Sequence, residues 1–217
     1  CRLVTGVQTC ALPIFRSVAE HARERGALLH LHLAETTEED AALRAEHGSV
    51  TALLEALGVL DGGRVLAAHG VQLSDADIGL LAARGAAVAH CPGSNAKLAA
   101  GVARVVALRR AGVRVGLGTD GPASGDDLDL WNQARLAGLF ARVTSGDAAA
   151  LTARELLLMA TRDGAAAIGG EATEAGAAET RVPARLGSLP WSRFRPPGGR
   201  FAPGDAAPSQ VEAAGRG

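Results

Sequence analysis

Four apolar runs, each ending abruptly in a cluster of polar side chains, constrain this chain more than anything else in it. The clusters are His30-Leu31-His32-Leu33-Ala34-Glu35-Thr36, Ala68-His69-Gly70, His90-Cys91-Pro92-Gly93-Ser94-Asn95 and Gly118-Thr119-Asp120-Gly121. The preceding runs, 27–33, 64–68, 86–89 and 113–117, are short and rich in Leu, Val and Ala. Runs apolar on both faces suit strands that are covered on both sides. Between them lie stretches of helical period at 37–46, 49–57, 74–85 and 102–111. Thr36 or Thr37 is a good N-cap, with Glu38, Glu39 and Asp40 favourable in the first turn, and Ser74 caps the third stretch. A helix over 15–26 precedes the first strand, and two longer ones, 128–143 and 152–168, follow the last. Strands alternating with helices predict parallel β/α units. All four clusters then lie at the C-terminal ends of strands. In a β/α barrel that rim carries the active site. An open doubly wound sheet uses the same end, so periodicity leaves both architectures open.

Bulk properties narrow the function. A net charge of −1 speaks against a nucleic-acid or acidic-membrane surface. Three Cys without C-x-x-C spacing give neither a disulfide framework nor a zinc knuckle, and point to a reducing, cytoplasmic compartment. No apolar run approaches the ~18 residues of a membrane span. At 217 residues the chain is shorter than the ~250 of a complete eight-stranded β/α barrel.

The two ends read differently from the middle. Residues 1–14 show neither helical nor strand period and resemble translated sequencing-adapter read-through; the expectation is a non-native or disordered lead. From 170 to 217 the composition shifts to Ala, Gly, Pro, Glu and Arg, which predicts a disordered tail. The folded domain is expected at 15–169.

The clusters hold groups that do hydrolytic chemistry. His32 sits late on a strand, where an imidazole can ligate a metal. Glu35, three residues on, can reach a substrate above it. An isolated H-x-x-E would more simply be a core His beside a solvated Glu. His69 can hold an attacking hydroxide or polarise a breaking bond, or simply cap its strand. Asp120, between Gly118 and Gly121, can ligate Zn²⁺ and take a proton from water; the plainer role is a helix cap. Ser94, Asn95 and Lys97 suit the rim of a substrate pocket or a structural loop. Adjacent strand residues point to opposite faces, so His90 and Cys91 should not share one ion.

In order and wording the four clusters resemble the amidohydrolase superfamily, and within it the branch of methylthioadenosine/S-adenosylhomocysteine deaminases. The resemblance runs from about Ser17 to Gly169 and includes Gly121-Pro122-Ala123-Ser124, Leu128-Asp129 and Arg135. It implies a partial TIM-type (β/α) barrel of about four parallel strands with flanking helices, the C-terminal half of the barrel. It implies one divalent metal, Zn²⁺ or alternatively Fe²⁺, with His32 and Asp120 as ligands. Asp120 would also activate water, Glu35 would shuttle a proton to a ring nitrogen, and His69 would position the hydroxide. The implied reaction is hydrolytic deamination of an aminated heterocycle, an adenosine-like nucleoside or a relative. The substrate is a small molecule; neither nucleic acid nor membrane is a partner, and the parent enzyme is expected to be a homo-oligomer. Two further ligands belong to a first strand that has no counterpart here, so the chain alone is expected to be inactive and poorly soluble. Cys91 and Gly93 stand where Asn and a small residue such as Ser or Ala are commoner, and Gly125 where Asn is usual. The alternatives are another amidohydrolase, of the triazine or guanine type, or a non-catalytic half-barrel pseudoenzyme or binding module.

Overall fold

The structure, a computed structural model, describes residues 3–62 and 64–170. The tail expected over 170–217 therefore lies, beyond Gly170, outside the described residues. Among those described, four strands form one sheet: β1 (Leu28–Leu33), β2 (Arg64–His69), β3 (Ala87–His90) and β4 (Arg114–Leu117), in that spatial order. Every pairing is parallel, as the alternation of strand and helix requires. The register places His32, Ala68, Ala89 and Gly116 in one row across the sheet.

Ten helices join and flank the described strands: α1 (Leu3–Glu24), α2 (Thr37–His47), α3 (Val50–Ala56), α4 (Asp75–Ala83), α5 (Pro92–Lys97), α6 (Val105–Arg110), α7 (Pro122–Gly125), α8 (Leu130–Ser145), α9 (Ala153–Ala160) and α10 (Arg162–Ala167). Their starts follow from side chains that satisfy otherwise unpaired N–H groups. Thr36 Oγ1 accepts from Glu39 N at 3.2 Å to open α2. Ser74 with Asp77, and Thr152 with Glu155, form reciprocal capping boxes at α4 and α9. Asp129 Oδ1 accepts from Trp131 N at 2.9 Å, so α8 begins at Leu130 rather than two residues earlier.

One face of the sheet carries the main core. Leu33, Val65, Ala67, Val88 and Val115 pack there with Leu54, Ile78, Leu81, Leu108 and Met159, all buried. The smaller cluster of Leu66, Ala87 and Ala167 brings α10 against the sheet. A Cβ on Gly116 would sit 2.8 Å from the Cα of Gly164, so backbone meets backbone between β4 and α10. Here the structure differs from the expected single helix over 152–168. Thr161, at φ −128° and ψ −97°, breaks it into α9 and α10, and the second piece folds onto the strand.

Two other expectations change. Residues 3–14 are not an irregular lead but the first part of α1, which continues through Pro13. A single Pro removes one backbone donor, and the turns after it supply a nucleus for the helix to extend from. Residues 92–97, expected as a loop, are the short helix α5, and residues 122–125 form the short helix α7. Each opens with Pro at its first position, where the missing N–H costs nothing.

Candidate active site

The four clusters come together at one end of the sheet, and backbone conformation is what makes them meet. His32 pairs with Ala68 across β1 and β2, so strand alternation would aim the next residue, His69, at the opposite face. Instead the rings of His32 and His69 stack, with centroids 5.2 Å apart and planes 18° from parallel. His69 adopts φ +70°, in the left-handed region, and this turns its side chain out of the alternation. Ala34 at φ +50° and Asp120 at φ +59° make the same departure just after β1 and β4. Each such residue costs on the order of 1–2 kcal/mol, met here by surrounding bonds. Gly70 N donates to Leu33 O at 3.0 Å, Val71 N to Ala34 O at 3.0 Å, and Gly121 N to Asp120 Oδ1 at 2.8 Å.

Glu35 lies beside this pair: its Oε2 is 3.8 Å from His69 Nε2. His69 is almost wholly buried, at 1 % side-chain exposure, while Glu35 stays 20 % exposed. His69 Nδ1, on the other side of the ring, bonds to Asn95 Oδ1 at 2.9 Å. The Asp120 carboxyl is held below its ordinary pKa. The hydrogen bond from Ser94 Oγ, 2.6 Å from Oδ2, is the main cause; burial opposes it, and Gly121 N–H and the charges of His69 and His32 add to it. Asp120 is therefore an anion near neutral pH, within the field of both imidazoles. Glu39, on α2, moves the other way. Burial and then the neighbouring Glu35 raise its carboxyl, while His32 and His69 pull it down.

Neither His90 nor Cys91 joins the rim as a titrating group. Burial, with a contribution from His69, pushes the His90 imidazole down to about 4, so it is neutral. Burial, reinforced by Asp120, pushes the Cys91 thiol up to about 11. Its Sγ packs where a Cβ on Gly118 would come within 2.9 Å.

Of the expected site residues, His32, Glu35 and His69 thus meet, while Asp120 is tied to the rim through Ser94 and lies within the field of the two imidazoles; His30 is not among them. Ser94 and Asn95 are 0 % and 1 % exposed and face Asp120 and His69 rather than an open rim. Lys97 Nζ turns away to Ala123 O at 2.9 Å and to the Asp126 carboxylate. The signal that sequence reasoning passed over was Pro92 followed by Ser94-Asn95. Proline at the first helical position places both side chains on a helix.

As a metal centre the rim is right in kind and short in number. An imidazole nitrogen on His32 and a carboxylate on Asp120 are zinc donors, but catalytic zinc generally holds three protein ligands. Among the described residues no group of three or more His, Cys, Asp or Glu converges to hold an ion. Also among them, no helix is long and apolar enough to cross a membrane.

Comparison with known proteins places this arrangement. The model of the amidohydrolase family matches residues 5–174. A 5-methylthioadenosine/S-adenosylhomocysteine deaminase from Pelotomaculum thermopropionicum is 45 % identical over 162 residues, covering 74 % of this chain and 37 % of the relative. An adenosine deaminase from Xanthomonas campestris, solved with bound zinc, superposes with a TM-score of 0.70 at 42 % identity, over 73 % of this chain and 36 % of that one. The atrazine chlorohydrolase of Arthrobacter aurescens, complexed with zinc, gives 0.69 at 32 % identity, over 74 % and 36 %. The chain thus spans little more than a third of the length of the relatives it matches.

Proposed function

The chain belongs to the amidohydrolase family, and we propose that it forms the Glu35–His69–Asp120 side of an active site that hydrolytically deaminates an adenosine-like heterocycle. The observation that carries this reading is the meeting of His32, Glu35 and His69, within the field of the Asp120 carboxylate, at the C-terminal ends of parallel strands. The greater identity to the deaminases than to the chlorohydrolase favours an amino group as the one that leaves. We assign the working unit to residues 15–169, in the cytoplasm, with a small molecule as its partner.

In the whole enzyme, His32 and Asp120 would be this chain's share of the ligands to one divalent metal, zinc. When bound, the metal supplies a water acidic enough to attack at neutral pH, its pKa lowered toward ~7. The protein's own groups then move the protons. Asp120, kept ionised by Ser94 and Gly121, takes one from the attacking water and passes it to the departing amine. Glu35 relays the other from the attacking oxygen to the ring nitrogen as the C–O bond forms, so the ring gives up its aromaticity in that same step. The two protons of the water therefore end on the ring nitrogen and on ammonia. His69, stacked on His32 and facing Glu35, holds the attacking oxygen in line.

The test is a chimera in which residues 15–170 replace the matching stretch of the Pelotomaculum thermopropionicum deaminase. The chimera is expected to release ammonia from 5-methylthioadenosine and no chloride from a chlorotriazine. A folded chimera that frees no ammonia from any aminopurine would overturn the reading.

A further inference from the structure

We infer that α5 is a positioning bracket: Ser94 and Asn95, consecutive residues of one short helix, set the catalytic carboxylate of β4 and the catalytic imidazole of β2 at the same time. The inference rests on the deaminase reading for what those two groups do. The bracket itself is read from geometry alone.

Successive helical residues point about 100° apart around the axis, so neighbours in sequence reach different partners. Ser94 reaches the segment after β4, and its Oγ donates to Asp120 Oδ2 at 2.6 Å. Asn95 reaches β2, and its Oδ1 lies 2.9 Å from His69 Nδ1. Both side chains are buried, so neither bond competes with bulk water. α5 follows β3, the strand between β2 and β4, so it stands between the two groups it holds.

The helix is itself fixed at both ends. Gly93 N donates to Gln133 Oε1 at 2.8 Å, and Gln133, on α8, is 0 % exposed. Gln133 fills the space beside Gly93 so fully that a Cβ there would come within 2.8 Å of Gln133 Nε2. At the other end Lys97 Nζ donates to Ala123 O of α7. Six residues held at both ends form a rigid piece, as a positioning element needs to be.

The Asn95 contact also fixes a tautomer. With the Asn95 carboxamide oxygen toward the ring, and a carbonyl oxygen only able to accept, the bracket calls for a proton on His69 Nδ1. Nε2, on the other side of the ring, faces Glu35 Oε2 at 3.8 Å.

The experiment is long-range ¹H–¹⁵N correlation of the histidine side chains in this 217-residue chain, free of metal and substrate. His69 is expected as the Nδ1–H tautomer. Asn95→Leu should shift it to Nε2–H or to a mixture, and Asn95→Asp, which keeps an acceptor, should restore it. In the chimera, Asn95→Leu and Ser94→Ala should each lower kcat about 10–100-fold with KM little changed, the size seen when partners behind a reacting group are lost. A wild-type His69 protonated on Nε2, or an Asn95→Leu variant with the wild-type tautomer, would overturn the bracket whether or not the chimera deaminates. A chimera without activity would sink the deaminase reading and leave the tautomer measurement standing as its own test.

Discussion

In the chimera, Asp120→Asn is expected to lower kcat/KM by about 10²–10⁴-fold, the range for removing a general base. The loss is chemical rather than structural. Both carboxylate oxygens accept a bond, Oδ2 from Ser94 Oγ and Oδ1 from Gly121 N. An amide keeps one acceptor and turns a donor toward the other N–H or O–H group. It also removes the negative charge that lies in the field of His32 and His69. The carboxylate stands after β4, not in the main core, so thermal unfolding of the variant should stay within a few degrees of the parent. Steady-state deamination alongside a melting curve checks both parts. A variant with near-parental kcat/KM would remove Asp120 from the chemistry.

The second large effect is a loss of stability in acid that traces to His90. This imidazole is 1 % exposed, its Nδ1 has no hydrogen-bond partner, and burial with the nearby His69 pushes its pKa down to about 4. Unfolded, it titrates near its ordinary 6.5. Between these values the unfolded chain binds a proton that the folded chain does not, so stability rises with pH there. The contribution is fully present above pH 6.5 and is lost progressively down to about 4. A shift of this size is worth on the order of 3 kcal/mol. The lowered carboxyls of Asp77, Asp120 and Asp163 act mostly below that window. Glu39, whose carboxyl is raised, favours the fold as it protonates and so works in the opposite sense. Urea denaturation of the chain at pH 7 and pH 4.5 should show a marked fall in midpoint, and His90→Leu should flatten it. An equal fall in the variant would mean that other groups carry the acid sensitivity.

Much of the fold was legible because burial on both faces leaves no alternation to misread. All four strands lie within one residue of the limits set by their apolar runs. The caps at Thr36 and Ser74 were readable too, since a short oxygen-bearing side chain ahead of an apolar period has one efficient use there. What sequence could not carry was the sign of a backbone angle. His69 reaches His32 only because its φ is positive, and although histidine enters that region more often than most residues, its presence at a strand end does not announce it. Strand alternation argues the reverse. The break at Thr161 was equally hidden, since Met159-Ala160-Thr161-Arg162 keeps a helical composition. It is the Gly116–Gly164 approach, a contact far apart in sequence, that gives the turn its place.

The departures from the family pattern also find local reasons. Gly93 has no room for a side chain because Gln133 occupies it. Gly125 has none because a Cβ would lie 2.4 Å from Thr119 O. Cys91 fills the space beside Gly118 as a small, un-ionised group. None of these removes a group from the rim.

The central claim is that Glu35 and Asp120, 85 residues apart in sequence, serve one reaction centre. The most direct measurement is a double-mutant cycle on kcat/KM in the chimera, with Glu35→Gln, Asp120→Asn and the pair. Groups that act as one unit are strongly non-additive. The double variant is therefore expected to be about as slow as the slower single one. Losses that simply multiply would mean that the two carboxylates work independently, and would contradict the account.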